Sequence, residues 1–470
     1  MNKYKKLVGN SFIFAIGNLG SKFISFLMVP LYTHYLSTSE YGVIDVITTT
    51  IRMLLPLISL SMNEAVLRFV MDKKKSKESV FMNGLIICIL GIITFLFFYP
   101  LFNSFNIFKG LIKYMYIILI LQVFETFFAE FIRGLGYIKI YTINGVLNTL
   151  ILCISNLISL VYLKKGIHGY FISIILSMLA SIIYLILSAK IYKFISFYKL
   201  NINLAITLMR YAVPLIPNSF LWWIINTSSR YFLLYFEDTS EIGLFAAVNK
   251  IPSLLVLFSS IFIKAWKLSS IEEYELKNND DFFSKVFIYY QNLLVLGTSA
   301  IMVFSKVLIK TIYAPDYYKS WKYLPYLLIG VIFSSLSEFI GMNYIITKKT
   351  KGIFITTVIG CFTCIIMNIM LIPYIGGIGT SISTMLSYLI ILVVRINDTK
   401  KYIKIKINYY NLLCNIVAVF IQTWLMFSNL NIYMEVCLSL VVFSLLVIIN
   451  RNILRNLIQF TQKLMHKKNT

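Results

Sequence analysis

The sequence predicts an all-α polytopic membrane protein of about fourteen transmembrane helices, with two six-helix lobes around a central cavity and two further helices at the C-terminal end. Three observations carry that prediction. Hydrophobic residues make up 59% of the 470 and charged residues only 13%, with a mean hydropathy of +0.81. A soluble domain carries roughly 25% charged residues and would expose too much apolar surface at this composition. Basic residues outnumber acidic ones by 43 to 19, and they cluster between the apolar runs. Finally, the sequence repeats itself once.

Apolar runs bounded by charge, Pro or Asn clusters place helices at 7–33, 41–63, 80–102, 111–132, 140–163, 167–189 and 211–236. Seven more follow at 242–266, 283–312, 323–347, 352–373, 378–396, 408–428 and 432–450. One span and its connection take roughly 30 residues, so the chain is used up by them. The longest strongly polar stretch, from Lys267 to Asp281, is too short to bury a core of its own. The first run begins after Met1-Asn2-Lys3-Tyr4-Lys5-Lys6 like a secretory signal, but it is too long and lacks a small-residue cleavage site, so it reads as a retained helix.

In a soluble protein a formal charge of +24 would suggest nucleic acid. Here it follows the positive-inside rule. Clusters such as Arg68/Lys73/Lys74/Lys75/Lys77, Lys348/Lys349/Lys351, Arg395/Lys400/Lys401/Lys404/Lys406 and both terminal segments fall on one side when the number of helices is even. The expectation is a cytoplasmic membrane protein of a bacterium with both termini inside.

The repeat appears when Ser11–Lys22 is laid over Ser219–Arg230: Ser11, Phe12, Ile16, Asn18 and Ser21 meet identical residues, and Lys22 meets Arg230. The same offset sets Glu130-Phe131-Ile132 on Glu338-Phe339-Ile340. Nearby offsets align Gly166–Ser173 with Gly376–Ser383, and Ser39-Glu40-Tyr41-Gly42 with Ser240-Glu241-Ile242-Gly243. The expected organisation is therefore an N-terminal lobe at 1–200, a second lobe at 201–398 in the same orientation, and helices 13 and 14 with a tail at 399–470. Parallel repeats of this kind enclose a substrate path between rocking halves.

Ionisable groups inside helices mark that path, because a central charge costs roughly 3 to 10 kcal/mol or more in lipid. Four cations qualify: Lys22, Arg52, Arg230 and Lys250. On the first helix Ser11, Asn18 and Lys22 share one face, and Ser219, Asn226 and Arg230 repeat it on the seventh. The opposing reading is that each cation is neutralised by Asp45, Glu125, Glu130 or Glu338, or snorkels to an interface. With few intramembrane acids, a net positive cavity and an anionic substrate are expected. Asp45, Glu125 and Glu338 are the acids available to carry a coupling ion. Trp222 and Trp223 precede Arg230 and offer surfaces for stacking on a sugar, although most of the aromatic residues read as interface belts and packing.

Other chemistry finds no foothold. The six Cys residues lie in apolar segments, and Cys361 and Cys364, though spaced CxxC, have no further Cys or His nearby and read as apolar fillers. His34 and His168 lie in connections and His466 in the tail. No enzymatic reaction, metal or cofactor is expected.

These segments resemble the Wzx-type polysaccharide repeat-unit flippases of the multidrug/oligosaccharidyl-lipid/polysaccharide exporter superfamily. The resemblance runs through N-x-x-S-K at Asn18–Lys22, MVPLYTHYLSTSEYGVIDV at Met28–Val46, E-x-x-R-G at Glu130–Gly134 and YAVPLIPNSF at Tyr211–Phe220. It continues through EIGLFAAVNKI at Glu241–Ile251, Ala265-Trp266, APDYY at Ala314–Tyr318 and IPYIGGIGTSIS at Ile372–Ser383. It implies a two-lobed bundle that moves an undecaprenyl-pyrophosphate-linked oligosaccharide from the cytoplasmic to the outer leaflet, with polymerase and glycosyltransferases as partners in surface polysaccharide synthesis. By that resemblance Lys22, Arg52, Arg230 and Lys250 bind the pyrophosphate. Lys22 stands where the family often has Arg, which keeps the charge but loses the two-pronged grip on phosphate. The alternatives are a cation-coupled multidrug exporter of the same superfamily and an exporter of lipid II or teichoic-acid precursors.

Overall fold

The computed structural model describes residues 20, 23–72, 74–105, 108, 110–275, 280–347, 349, 351–428 and 430–451. Among these residues every regular element is helical. Twelve helices are long and apolar enough to cross a membrane, so the chain is a multi-pass membrane protein. One of the twelve, Lys351–Thr399, has 49 residues and would reach about 74 Å if straight, more than twice the roughly 30 Å hydrocarbon thickness. It bends where Pro373 is followed by Gly376 at φ +53°, a left-handed conformation that glycine adopts without cost. The two spans expected at 352–373 and 378–396 are the arms of this bend. The span expected at 7–33 lies largely outside the described residues.

The chain falls into two compact units, Met1–Leu234 with Asp238–Ala246, and Tyr235–Glu237 with Ala247–Thr470. In the first unit α1 is Val29–Tyr35, α2 Thr38–Ile58, α3 Met62–Val70, α4 Lys77–Leu96, α5 Ile112–Gly134, α6 Ile138–Asn156, α7 Gly166–Ser188, α8 Ile202–Ala212 and α9 Ile216–Thr227. Two helices that straddle the boundary, α10 at Ser229–Phe236 and α11 at Thr239–Val248, complete it. The α2 helix starts at a capping box: Ser37 Oγ accepts from Glu40 N, and Glu40 Oε2 accepts from Ser37 N at 2.9 Å. It ends earlier than the apolar run suggests. Pro56 leaves the Arg52 carbonyl without its helical donor, and Leu60 and Ser61 take φ of 47° and 51°, so a turn separates α2 from α3.

A second departure concerns residues before Tyr211. The segment Ile202–Ala212 is an amphipathic helix, α8, burying Leu204, Ala205, Leu208 and Ala212 along one side. Asn201 caps it, its Oδ1 accepting from Leu204 N at 3.1 Å. Asn83 of α4 in turn accepts from Asn201 N at 3.2 Å. The Val213-Pro214-Leu215 turn then leads into α9, so the first unit runs past residue 200, where the sequence repeat places its boundary.

The second unit consists of α12 at Lys250–Glu275, α13 at Asp280–Ile312, α14 at Leu324–Ile346, α15 at Lys351–Thr399, α16 at Tyr409–Phe427 and α17 at Ile432–Ile449. Of the spans, α14 is the most buried, and Phe339 on it stacks on Trp266 of α12 with centroids 4.6 Å apart. Polar groups fasten α16 and α17 to α13. Asn415 donates to Asn292 at 2.6 Å, Asn450 to Asn415 at 2.9 Å, and Asn411 to Asn450 at 3.1 Å. Lys306 Nζ bonds Glu435 Oε2 at 2.7 Å and lies 3.9 Å from the Trp321 ring centroid. Such carboxamide and ionic contacts hold helices together in lipid, where apolar burial gives no net drive.

Candidate functional site

The four expected cations have different surroundings. Lys22 lies outside the described residues, as do Ser11 and Asn18. Arg52 is two thirds of the way along α2, exposed, near Tyr170 of α7, and has no ion pair among the described residues. Lys250 opens α12 half-buried and partnered. Arg230 does not stand as a free cavity charge: only 7% exposed, it gives Nε to Asp45 Oδ2 at 3.0 Å and Nη1 to the Asn226 carbonyl at 2.6 Å. Its guanidinium also lies 4.9 Å from the Phe245 centroid. The neutralised alternative therefore holds for this residue, and Asp45 is committed to the same pair.

The three residues expected to share a face on the seventh helix are divided between α9 and α10 and have different surroundings. Ser219 and Asn226 are exposed, their side chains donating to the Leu215 and Trp222 carbonyls at 3.3 and 2.8 Å. Of the two tryptophans, Trp223 is engaged: its indole N–H donates to the Thr49 carbonyl at 3.1 Å, and its ring stacks on Phe220. Trp222 is 38% exposed and keeps a surface for stacking.

The acids diverge in the same way. Glu338 is exposed on α14, with no hydrogen bond among the described residues. Glu125 of α5 accepts from Asn144 Nδ2 of α6 at 2.9 Å, and its Oε1 lies 3.1 Å from Ser181 Oγ of α7.

Ser39–Gly42 and Ser240–Gly243, equivalent in the sequence repeat, are in contact within the first unit. Thr38 Oγ1 meets Ser240 Oγ at 2.5 Å, and Ser39 Oγ meets Thr239 Oγ1 at 2.6 Å. The helices approach through their glycines. A Cβ on Gly42 would stand 1.8 Å from the Thr239 carbonyl oxygen, and one on Gly243 1.9 Å from that of Thr38. The contact is reciprocal, as a local two-fold relation between repeats requires. Further along α2 come the Arg230–Asp45 pair and then the contact of Thr50 with Tyr231 at 2.6 Å.

Arg395 was missed by sequence reasoning. Grouped there with the basic residues of an inside connection, it is 4% exposed, donating to Thr356 Oγ1 and the Ser337 carbonyl at 3.0 Å. It lies near the C-terminal end of α15, which runs on to Thr399.

The profile of the family described as "Polysaccharide biosynthesis protein" matches residues 7–267. No curated protein matches the chain by sequence. Among solved structures, the lipid II flippase MurJ in an inward closed conformation is similar at a TM-score of 0.71 and 16% identity, covering 94% of this chain and 100% of that one. An inward-facing multidrug resistance MATE family transporter of the MOP superfamily gives a TM-score of 0.65 at 13% identity, over 81% and 95% of the two chains. A MOP superfamily transporter from Pyrococcus furiosus, with a binding pocket of reverse polarity, gives 0.58 at 13% identity over 84% and 95%. The chain shares the fold of these proteins.

Proposed function

We propose that this chain, which belongs to the polysaccharide biosynthesis protein family, flips undecaprenyl-pyrophosphate-linked oligosaccharide repeat units from the cytoplasmic to the outer leaflet by alternating access. The observation that carries the reading is Arg52. A guanidinium well inside a span, exposed and without an acid partner among the described residues, costs several kcal/mol against lipid and is explained by an anionic ligand. Arg also has the geometry to hold phosphate oxygens two at a time. Lys22 and Lys250 are proposed as the accompanying cations. Arg230 is reassigned: paired with Asp45, it braces α10 against α2 rather than meeting substrate.

In this reading the reciprocal Gly42/Gly243 contact is one end state of the cycle. Opening on the side of the α2 and α11 N-termini requires the two motifs to part, and the hydroxyl pairs that join them are few enough to break. Both termini of the chain are assigned to the cytoplasm from the distribution of basic residues, which puts this contact at the outer face.

A second reading, export of lipid II or a teichoic-acid precursor, draws on the fold shared with the lipid II flippase MurJ. It keeps the pyrophosphate and changes the sugars. Export of organic cations is disfavoured by the charge of Arg52. The test is reconstitution into vesicles with a defined lipid-linked oligosaccharide, reading its exposure by a membrane-impermeant glycosidase. Arg52→Gln should abolish exposure at unchanged protein content, and Arg52→Lys should retain part. Full activity of Arg52→Gln would refute the pyrophosphate assignment.

A further inference from the structure

Of the three acids able to carry an ion, only Glu125 sits in a closed polar ring. Its Oε1 is 2.9 Å from Asn144 Nδ2 and 3.1 Å from Ser181 Oγ, and Ser181 Oγ is 2.7 Å from Asn144 Oδ1. Asn144 is 3% exposed and Ser181 0%. Three contacts need three hydrogens. The amide turns one into the ring and the hydroxyl has one. With an ionised carboxylate, either the Ser181–Glu125 or the Ser181–Asn144 contact sets lone pair against lone pair. Turning the amide over does not help, because its oxygen then faces the carboxylate and the count is again one short.

A proton on Oε1 closes the ring. Glu125 donates to Ser181, Ser181 donates to Asn144 Oδ1, and the amide N–H returns to Glu125. No Lys or Arg bonds to Glu125 among the described residues, so no cation takes the proton's place. The titratable groups coupled to it are Glu130 on the same helix and Tyr141 of α6, on each of which Glu125 acts electrostatically. Glu64 of α3 adds its charge at Glu130, whose own partner is Arg133 at 2.8 Å. From α7 the ring receives Ser181, while α2 and α4 bring no hydrogen bond or ion pair to Glu125 among the described residues. Among the described residues no group of three or more His, Cys, Asp or Glu is placed to hold a metal ion.

We propose that Glu125 is a proton-binding site: it holds a proton between Asn144 and Ser181 in this conformation and releases it when the ring opens, coupling translocation to a proton gradient. Carboxyl groups inside membrane proteins serve as such proton carriers. The coupling rests on the flippase reading, whereas the bound proton does not.

The bound proton is tested by infrared difference spectroscopy on the purified full chain in nanodiscs. Wild type minus Glu125→Gln at neutral pH should show loss of a protonated carboxyl band. Loss of a carboxylate band in its place would overturn the proposal. Glutamine mimics the protonated acid, so this variant should melt within about 2 °C of wild type. Ser181→Ala, which keeps Glu125, should shift the carboxyl band; an unmoved band would refute the ring. In vesicles, an imposed proton gradient should accelerate wild-type flipping several-fold and leave Glu125→Gln unaccelerated. Equal acceleration of both would overturn the coupling and leave the flippase reading intact. Absence of flipping by wild type would overturn that reading and leave the infrared result standing.

Discussion

Replacing Gly42 by Ala tests whether the contact between the two repeat motifs is an end state of a moving structure. The added Cβ would lie 1.8 Å from the Thr239 carbonyl oxygen, whereas ordinary contact begins at 3.4 Å, so the helices must separate by about 1.6 Å. That movement takes the Thr38–Ser240 and Ser39–Thr239 pairs, now at 2.5 and 2.6 Å, to about 4 Å and breaks both. Two neutral hydrogen bonds are worth about 1 kcal/mol each, and forcing a methyl into a packed contact adds about 1 to 3 kcal/mol. A shift of about 3 to 5 kcal/mol is a hundredfold or more in a two-state equilibrium. A conformation in which the motifs are already apart does not feel the methyl. Spin labels on α2 and α11, placed away from the motif, should therefore report a move from the short to the long distance population in nanodiscs. Gly243→Ala should do the same, because the contact is reciprocal. A distance distribution identical to wild type in both variants would refute the reasoning.

The remaining predictions follow from the ion pairs and from exposed Asn226. Arg230→Gln leaves Asp45 half-buried without its cation and should cost about 3 to 5 kcal/mol, whereas Asp45→Asn with Arg230→Gln should recover much of it, read as melting temperature in detergent; equal losses in the single and double variants would contradict the bracing role. Lys306→Ala should destabilise the second unit by a similar amount, while Lys306→Met with Glu435→Leu should come close to wild type, because replacing a buried pair by apolar groups removes the desolvation cost. A Cys at exposed Asn226, in a background lacking the native Cys, should react with a small polar thiol reagent while one at Ile89 stays unlabelled; equal reactivity would place both in the same environment.

What the sequence reveals best is what depends on long apolar runs. The expected spans at 111–132 and 167–189 differ from α5 and α7 by no more than a couple of residues, because each is bounded by charge or glycine and has no proline inside. The α2–α3 break and α8 were illegible for the opposite reason. The first depends on two residues taking left-handed torsions after Pro56, and the second on an amphipathic face in a polar surround that a hydropathy window passes over. At the site, composition tells which charges lie in helices but not their partners. Asp45 and Arg230 meet across 185 positions of sequence, and Asn415 reaches Asn292 across 123. The internal repeat was visible as an alignment, yet nothing in it says that the two copies touch.

Flipping through the observed contact is measured by the rate at which vesicles containing only this protein transfer a defined undecaprenyl-pyrophosphate-linked oligosaccharide to the opposite leaflet, compared with a Ser39→Cys/Thr239→Cys variant before and after oxidation. Ser39 and Thr239 already touch at 2.6 Å, so the disulfide should form in the observed conformation and lock it. Wild type and the reduced variant should transfer, oxidation should arrest the variant, and reductant should restore it. Transfer that continues at the wild-type rate with the disulfide formed would refute alternating access through this contact.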